Sequence, residues 1–344
     1  MMHVGSLSLA ITMAACGTTS DAAALPSGSY PATPHPSSCE PAPATEENML
    51  VRNTRGTLEG TLVLPAGCGP HPVVLIIAGS GPTDREGNQS SVKAQPYRLL
   101  AEALAKIGIG SLRYDKAGVG ASRSAAPPEA ALRFEMVADD AALFIEALRQ
   151  DDRVSQVGIV GHSEGSLVGM LAAERANVDA FVSLAGAGRP LGEVLREQLT
   201  RGLPDEALRE RAFEILSALE RGERVDDVPK ELASLFRPSV QGYLISWLKY
   251  DPAETLRELQ VPSVFIVQGT TDTQVSVADA ERLARGRPAA RLLLIEGMNH
   301  VLKAADSSSA SQRAAYTNPD LPIVPELARE IGDFLRRDPE EKKP

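Results

Sequence analysis

The residues Gly161-His162-Ser163-Glu164-Gly165 stand directly after an apolar run ending at Val160 and directly before a helical pattern. A serine flanked by glycines two positions to either side, on a strand-to-helix turn, is an arrangement that exposes a nucleophilic hydroxyl. The reason is steric. A tight turn strains the serine backbone, and the missing glycine Cβ atoms let strand and helix close in around it. Ser163 Oγ is thereby lifted clear of the sheet, at the positive end of the following helix. An ordinary glycine-rich turn is the competing reading of the pentapeptide alone. The strand–turn–helix context favours the nucleophile.

A hydroxyl attacks poorly until a base removes its proton. The chain has five histidines. His3 and His35 fall in N-terminal segments without the marks of a folded domain, and His71 precedes an early strand. His162 adjoins Ser163 on a turn where neighbouring side chains diverge. That leaves His300, in Glu296-Gly297-Met298-Asn299-His300, just beyond the last predicted strand. A carboxylate must then fix the histidine tautomer and stabilise the imidazolium. Asp272 follows the penultimate strand in Gln268-Gly269-Thr270-Thr271-Asp272, and the carboxyl ends of parallel strands share one rim. Asp115 reads as structural, and Asp251 and Glu296 are weaker candidates. Acyl transfer also needs donors for the oxyanion, and one is the backbone N–H of Glu164, next to the nucleophile.

These residues require a scaffold, and the chain supplies one from about residue 49. Two strand-like runs, 49–55 and 57–64, are followed by the continuous apolar run 73–78 (VVLIIA), as expected of a strand buried on both faces. Helical spacing over 94–107, 128–150, 163–176, 277–285 and 325–336 alternates with predicted strands at 109–114, 154–160, 178–184, 263–268 and 290–295. Eight strands with interleaved helices predict a mostly parallel α/β sheet covered on both faces. Residues 188–259 break the rhythm with a long helical stretch where one crossover helix would suffice. They read as a helical cap inserted into a core of 49–187 and 260–344.

Composition narrows the partners. The 344 residues are 43% hydrophobic and 23% charged, an ordinary globular mix that excludes a multi-span membrane protein. The formal charge is −10, and no lysine- or arginine-rich block occurs, so nucleic acid is not expected as a partner. Gly118-Val119-Gly120 lacks the third glycine of a dinucleotide fingerprint and reads as a tight turn. No His/Cys cluster suggests a metal, and no cofactor is expected. Asp84, Arg85 and Glu86 either reach substrate or hold their loop in place by salt bridges, and the structural role is the favoured reading. Tyr243, Trp247 and Tyr250, at helical spacing on the cap, either line an acyl pocket or pack against the main domain, and packing is the favoured reading.

The N-terminus suggests export. Residues 4–15 are apolar and uncharged, too short to span a bilayer and of the length of a signal's apolar region. Met13-Ala14-Ala15-Cys16 resembles a bacterial lipobox, with Cys16 as the acylated residue. It departs from that pattern in having Met13 where Leu is usual and no Lys or Arg before the apolar run. An ordinary cleaved signal and a misplaced start are the alternatives. Residues 17–48 are dense in Pro, Ser, Thr and Ala and predict a disordered tether joining the 1–16 segment to the core. With Cys16 lipidated, Cys39 and Cys68 either pair in an oxidising periplasm or remain free thiols. The expected location is the cell envelope, with the membrane reached only through the lipid anchor.

Five segments in order carry a wider resemblance: GSGPTDREGN (79–88), LRYDKAGVGAS (112–122), GHSEGS (161–166), VQGTTDTQVS (267–276) and GMNHVLK (297–303). The chain resembles the α/β-hydrolase superfamily, in the branch of bacterial carboxylesterases related to serine aminopeptidase-like hydrolases. The order Ser163, Asp272, His300 is that family's order. The resemblance implies the N–H of Ser80 as the second oxyanion donor, although Ala78 stands where many relatives carry histidine. It further implies cofactor-free hydrolysis of small carboxylic esters with short to medium acyl chains. An aminopeptidase, a thioesterase or an acyltransferase would use the same triad, and a non-catalytic envelope lipoprotein of this fold is a rival of another class. The sequence does not fix the oligomeric state.

Overall fold

The computed structural model describes residues 42–337. β1 (Thr45–Arg52) and β2 (Thr57–Leu64) form an antiparallel hairpin. β3 (His71–Ile77), α1 (Pro96–Ala105), β4 (Gly110–Tyr114), α2 (Phe134–Arg149), β5 (Val154–His162), α3 (Glu164–Arg175) and β6 (Ala180–Leu184) follow in alternation. Five α-helices then intervene: α4 (Leu191–Gly202), α5 (Glu206–Glu220), α6 (Ala233–Phe236), α7 (Gln241–Leu248) and α8 (Pro252–Glu258). β7 (Val264–Gly269), α9 (Val277–Gly286), β8 (Arg291–Ile295), α10 (Ser309–Thr317) and α11 (Pro325–Arg336) complete the described chain.

The eight strands make one sheet in the order β1-β2-β4-β3-β5-β6-β7-β8. The β1–β2 and β2–β4 pairs are antiparallel, and every pair from β4–β3 onward is parallel. Because strand side chains alternate between faces, the run VVLIIA is divided between two cores. Leu75 and Ile77 join α2, α3, α8 and α9 on one face, whereas Val74 and Ile76 join α1 and α11 on the other. The central pair, β3 and β5, is in register up to Ile77 opposite Gly161. That brings the loop after β3 and the turn after β5 to the same rim. α4–α7 enclose a separate apolar cluster that includes Leu195, Ile215, Leu219, Phe236 and Leu244.

Two expectations are corrected, and one helix was not anticipated. The tether reading of 17–48 fails at its end, since Thr45–Asn48 already belong to β1. Backbone pairing with β2 supplies the order that their exposed, polar side chains do not advertise. The helix expected over 128–150 begins only at Phe134, because Arg133 is extended (φ −134°, ψ 151°) and the Phe134 N–H donates to Ser246 Oγ on α7. α10 has one buried residue, Ala315, and therefore no apolar period to announce it. The other predicted elements meet observed ones within about two residues, the usual ambiguity of element ends.

Cys68 is disulfide-bonded, which excludes the free-thiol reading for that residue. The lipobox with Cys16, and Cys39, lie outside the described residues. No helix among the described residues is long and apolar enough to cross a membrane.

Candidate active site

Ser163 sits at the N-cap of α3 with φ 55° and ψ −121°. Positive φ is rare for a residue with a side chain and must be enforced by its surroundings. Here the flanking glycines allow the enforcement. A Cβ on Gly161 would stand 2.3 Å from the Gly165 carbonyl oxygen, and one on Gly165 would stand 2.2 Å from that of Ile77. The Ser163 N–H donates to the Leu184 carbonyl on β6 at 2.9 Å, which fixes the turn from the other side.

Asp272 and His300 meet behind the two strand ends. His300 Nδ1 donates to Asp272 Oδ2 at 2.8 Å, with both side chains buried. Asp272 Oδ1 accepts the backbone N–H groups of Gln274 (2.8 Å) and Val275 (3.0 Å), and Gln268 Nε2 donates to Oδ2. Burial alone would raise the Asp272 pKa. The adjacent His300 and these hydrogen bonds outweigh it and hold the carboxyl below its ordinary range. Nδ1 is thus committed to Asp272, and Nε2 is the ring nitrogen left for chemistry.

Ser163 and His300 line one cavity of about 260 Å³ together with Ser80, Gln89, Gln274 and Tyr316. Among the described residues no hydrogen bond joins the Ser163 hydroxyl to His300; such bonds often tighten only with substrate in place. A second cavity, of about 290 Å³, also borders Ser163. Leu167 of α3, Leu191, Val194 and Leu195 of α4, and Leu244 and Trp247 of α7 give it mostly apolar walls. Ser80, Ser163 and Gln274 border both cavities. The serine therefore stands where a largely apolar chamber under the inserted helices meets a more polar one.

Two backbone amides are available at this junction. Glu164 is the first residue of α3, so its N–H has no intrahelical acceptor. No acceptor for the Ser80 N–H is found among the described residues, while the Ser80 carbonyl is occupied by Thr83 Oγ1 and Gln89 Nε2. The loop after β3 is held by ion pairs of Arg85 and Glu86, whereas Asp84 accepts the backbone N–H groups of Glu86 and Asn88 and makes no ion pair among the described residues. Arg85 bridges Asp115 at 2.8 Å and Glu59 at 3.1 Å, and Glu86 pairs with Arg113. Asp115 also accepts the Arg85 and Ala121 amides. Asp251 caps α8 and pairs with Arg282, away from His300's partner set. Tyr243, Trp247 and Tyr250 gather around Phe134 of α2, and Trp247 stacks on it at 5.0 Å. Trp247 has the additional position in the cavity wall.

Sequence reasoning passed over two supporting residues. His162 is buried and borders the same cavity as Ser163 and His300, with Nδ1 2.8 Å from the Tyr97 hydroxyl and Nε2 2.8 Å from the His300 carbonyl. Tyr97 also accepts the Gly79 N–H at 3.0 Å. Burial, reinforced by the neighbouring His300, pushes the His162 pKa down to about 3. Lys116 is the second, buried between Gly79 and Glu164. Neither role has a local signature, because each partner is remote in sequence. No group of three or more His, Cys, Asp or Glu side chains is placed to hold a metal among the described residues.

Comparison with known proteins agrees with this architecture. Residues 73–306 match the model of the Alpha/beta hydrolase family. Esterase EstD of Thermotoga maritima is 28% identical over 298 residues, covering 86% of this chain and 69% of that protein. Est1E of Butyrivibrio proteoclasticus, solved with ferulic acid bound, superposes with a TM-score of 0.55 at 18% identity, over 84% of this chain and all of that one. The Pyrococcus furiosus esterase Pf2001 gives 0.53 at 16% identity, over 85% and 91%. The last two likenesses speak for the fold. With the family model spanning more than half of its length, from β3 to beyond His300, this chain belongs to the alpha/beta hydrolase family.

Proposed function

We propose that the protein is a serine carboxylesterase acting on small esters with short to medium acyl chains. The observation that carries the reading is the strained Ser163 opening onto the same cavity as His300, whose ring is oriented by buried Asp272. The similarity to EstD supports ester hydrolysis as the reaction class.

In the first half-reaction His300 Nε2 takes the Ser163 proton as Oγ attacks the ester carbonyl. The Ser80 and Glu164 N–H groups hold the resulting oxyanion. His300 then protonates the departing alcohol, leaving an acyl-enzyme. Water then attacks the acyl carbon as His300 takes its proton; the C–Oγ bond breaks as the acid leaves, and His300 returns the proton to Ser163 Oγ. The apolar cavity walled by Val194, Leu195 and Trp247 suits an acyl chain, and the polar cavity beside His300 suits the alcohol and the incoming water. No resident cofactor enters this scheme.

The same reading includes export and lipid anchoring at Cys16. The disulfide at Cys68 supports it, because disulfides persist in oxidising compartments.

The deciding experiment compares p-nitrophenyl acetate, butyrate and octanoate hydrolysis by the protein and its Ser163→Ala variant. Loss of turnover by about 10⁴-fold or more in the variant, with its fold intact, is the expected result. Equal activity in both, or a folded wild type inert toward all three esters, overturns it.

A further inference from the structure

Lys116 is two residues past Tyr114 at the carboxyl end of β4, and its side chain is 9% exposed. A lysine so enclosed needs partners, since an unpaired buried charge is costly. It has two. Nζ donates to the Gly79 carbonyl oxygen at 2.6 Å and lies 3.6 Å from Glu164 Oε1. The Glu164 carboxylate, 3% exposed, also accepts the Tyr243 hydroxyl of α7 at 3.2 Å.

Both partners belong to the candidate oxyanion hole. The Gly79 carbonyl is one end of the peptide whose other end is the Ser80 N–H. In a planar trans peptide those two groups point in opposite directions. Anchoring the oxygen on Lys116 therefore aims the Ser80 N–H away from the lysine. A cation on the carbonyl also polarises the peptide and strengthens its N–H as a donor. Gly79 is fixed a second time through its own N–H, which donates to Tyr97. Glu164 supplies the other amide, and its side chain is held by the same ammonium. One cation thus joins the two loops that bear the two donors.

We propose that Lys116 is a positioning residue for acyl transfer: it sets the Ser80 and Glu164 amides against the oxyanion formed on Ser163. The proposal rests on the serine esterase reading. It assigns Lys116 no contact with substrate, and it differs from a role in which the lysine only neutralises Glu164.

Three variants separate these roles: Lys116→Met, Glu164→Gln, and the two combined. Each is assayed for kcat and KM on p-nitrophenyl butyrate, for affinity toward an alkyl trifluoromethyl ketone that forms a tetrahedral adduct, and for thermal unfolding. Direct loss of an oxyanion donor typically lowers kcat by about 10²–10³-fold. Misaiming both donors without removing them is expected to lower kcat by about 10- to 100-fold in Lys116→Met. KM should stay nearly level and ketone affinity should fall in parallel with kcat/KM. The double variant, which has no unpaired carboxylate and so carries the test if Lys116→Met unfolds, should remain as impaired.

Recovery of wild-type kcat in the double variant overturns the proposal, because the lysine would then serve only to neutralise Glu164. Unchanged kcat in folded Lys116→Met overturns it as well. In both cases the Ser163→Ala comparison still stands, so the esterase reading survives. A wild type that neither hydrolyses esters nor is labelled at Ser163 by a fluorophosphonate removes both.

Discussion

Nε2 of His162 donates a hydrogen bond to the carbonyl oxygen of His300 at 2.8 Å. A carbonyl only accepts, so this nitrogen carries the proton, and Nδ1 accepts from the Tyr97 hydroxyl. The residue before the candidate nucleophile thereby holds the backbone of the candidate base. Through Tyr97 the same chain reaches the Gly79 N–H in the loop after β3. Neutral His162 is the form that fits, with one donor and one acceptor ring nitrogen.

Acid should weaken the fold through this residue. Unfolded, the imidazole takes up a proton near its ordinary value of 6.5; folded, it does so only around pH 3. Its folded pKa is depressed, so protonation favours the unfolded chain increasingly as pH falls from 6.5 toward 3. At pH 4 this amounts to about 3 kcal/mol. His162→Gln retains a donor and an acceptor without the titration. Urea unfolding at pH 7 and pH 4 should show a smaller drop in stability for the variant, by roughly that amount. Parallel curves for both proteins would refute the assignment.

A different acid limb is expected for catalysis. In the proposed scheme His300 must be neutral to accept the Ser163 proton, and Asp272 is held below its ordinary carboxyl range. The logarithm of kcat/KM should fall on the acid side with a slope of one, at pH values where unfolding measurements show an intact fold. Asp272→Asn should lower kcat by about 10⁴-fold with little change in KM, because an amide favours the wrong histidine tautomer. A variant retaining more than a tenth of wild-type kcat would remove Asp272 from the triad.

The cavity wall predicts selectivity. Val194 of α4 lines the apolar chamber beside Ser163. Val194→Phe should narrow it, leaving acetate turnover within a few-fold of wild type and lowering octanoate kcat/KM by about tenfold or more, the scale at which apolar pockets discriminate. A uniform loss across acetate, butyrate and octanoate would mean that the acyl chain lies elsewhere.

Sequence by itself determined the features that are local. Gly161 is required by a contact one turn away, at Gly165, whereas Gly165 is required by the Ile77 carbonyl of neighbouring β3; the strand–turn–helix pattern itself was readable from five residues and their flanks. The apolar runs of β3, β5, β6 and β7 marked a doubly covered sheet because strands buried on both faces have little room for polar side chains. His300 was singled out by elimination and Asp272 by its place after a strand, and the fold brings the two within 2.8 Å.

Tertiary structure decided the rest. Strand order, the division of Ser163's surroundings into two chambers, and the assignment of Thr45–Asn48 to a strand depend on pairing between remote segments. His162 and Lys116 bear no periodic or spacing signal, since their partners lie 138, 65, 48 and 37 positions away at His300, Tyr97, Glu164 and Gly79. Local rules see a few residues to either side. The groups packed around Ser163, His300 and the loop after β3 become neighbours only when the sheet closes and brings its loops to one rim.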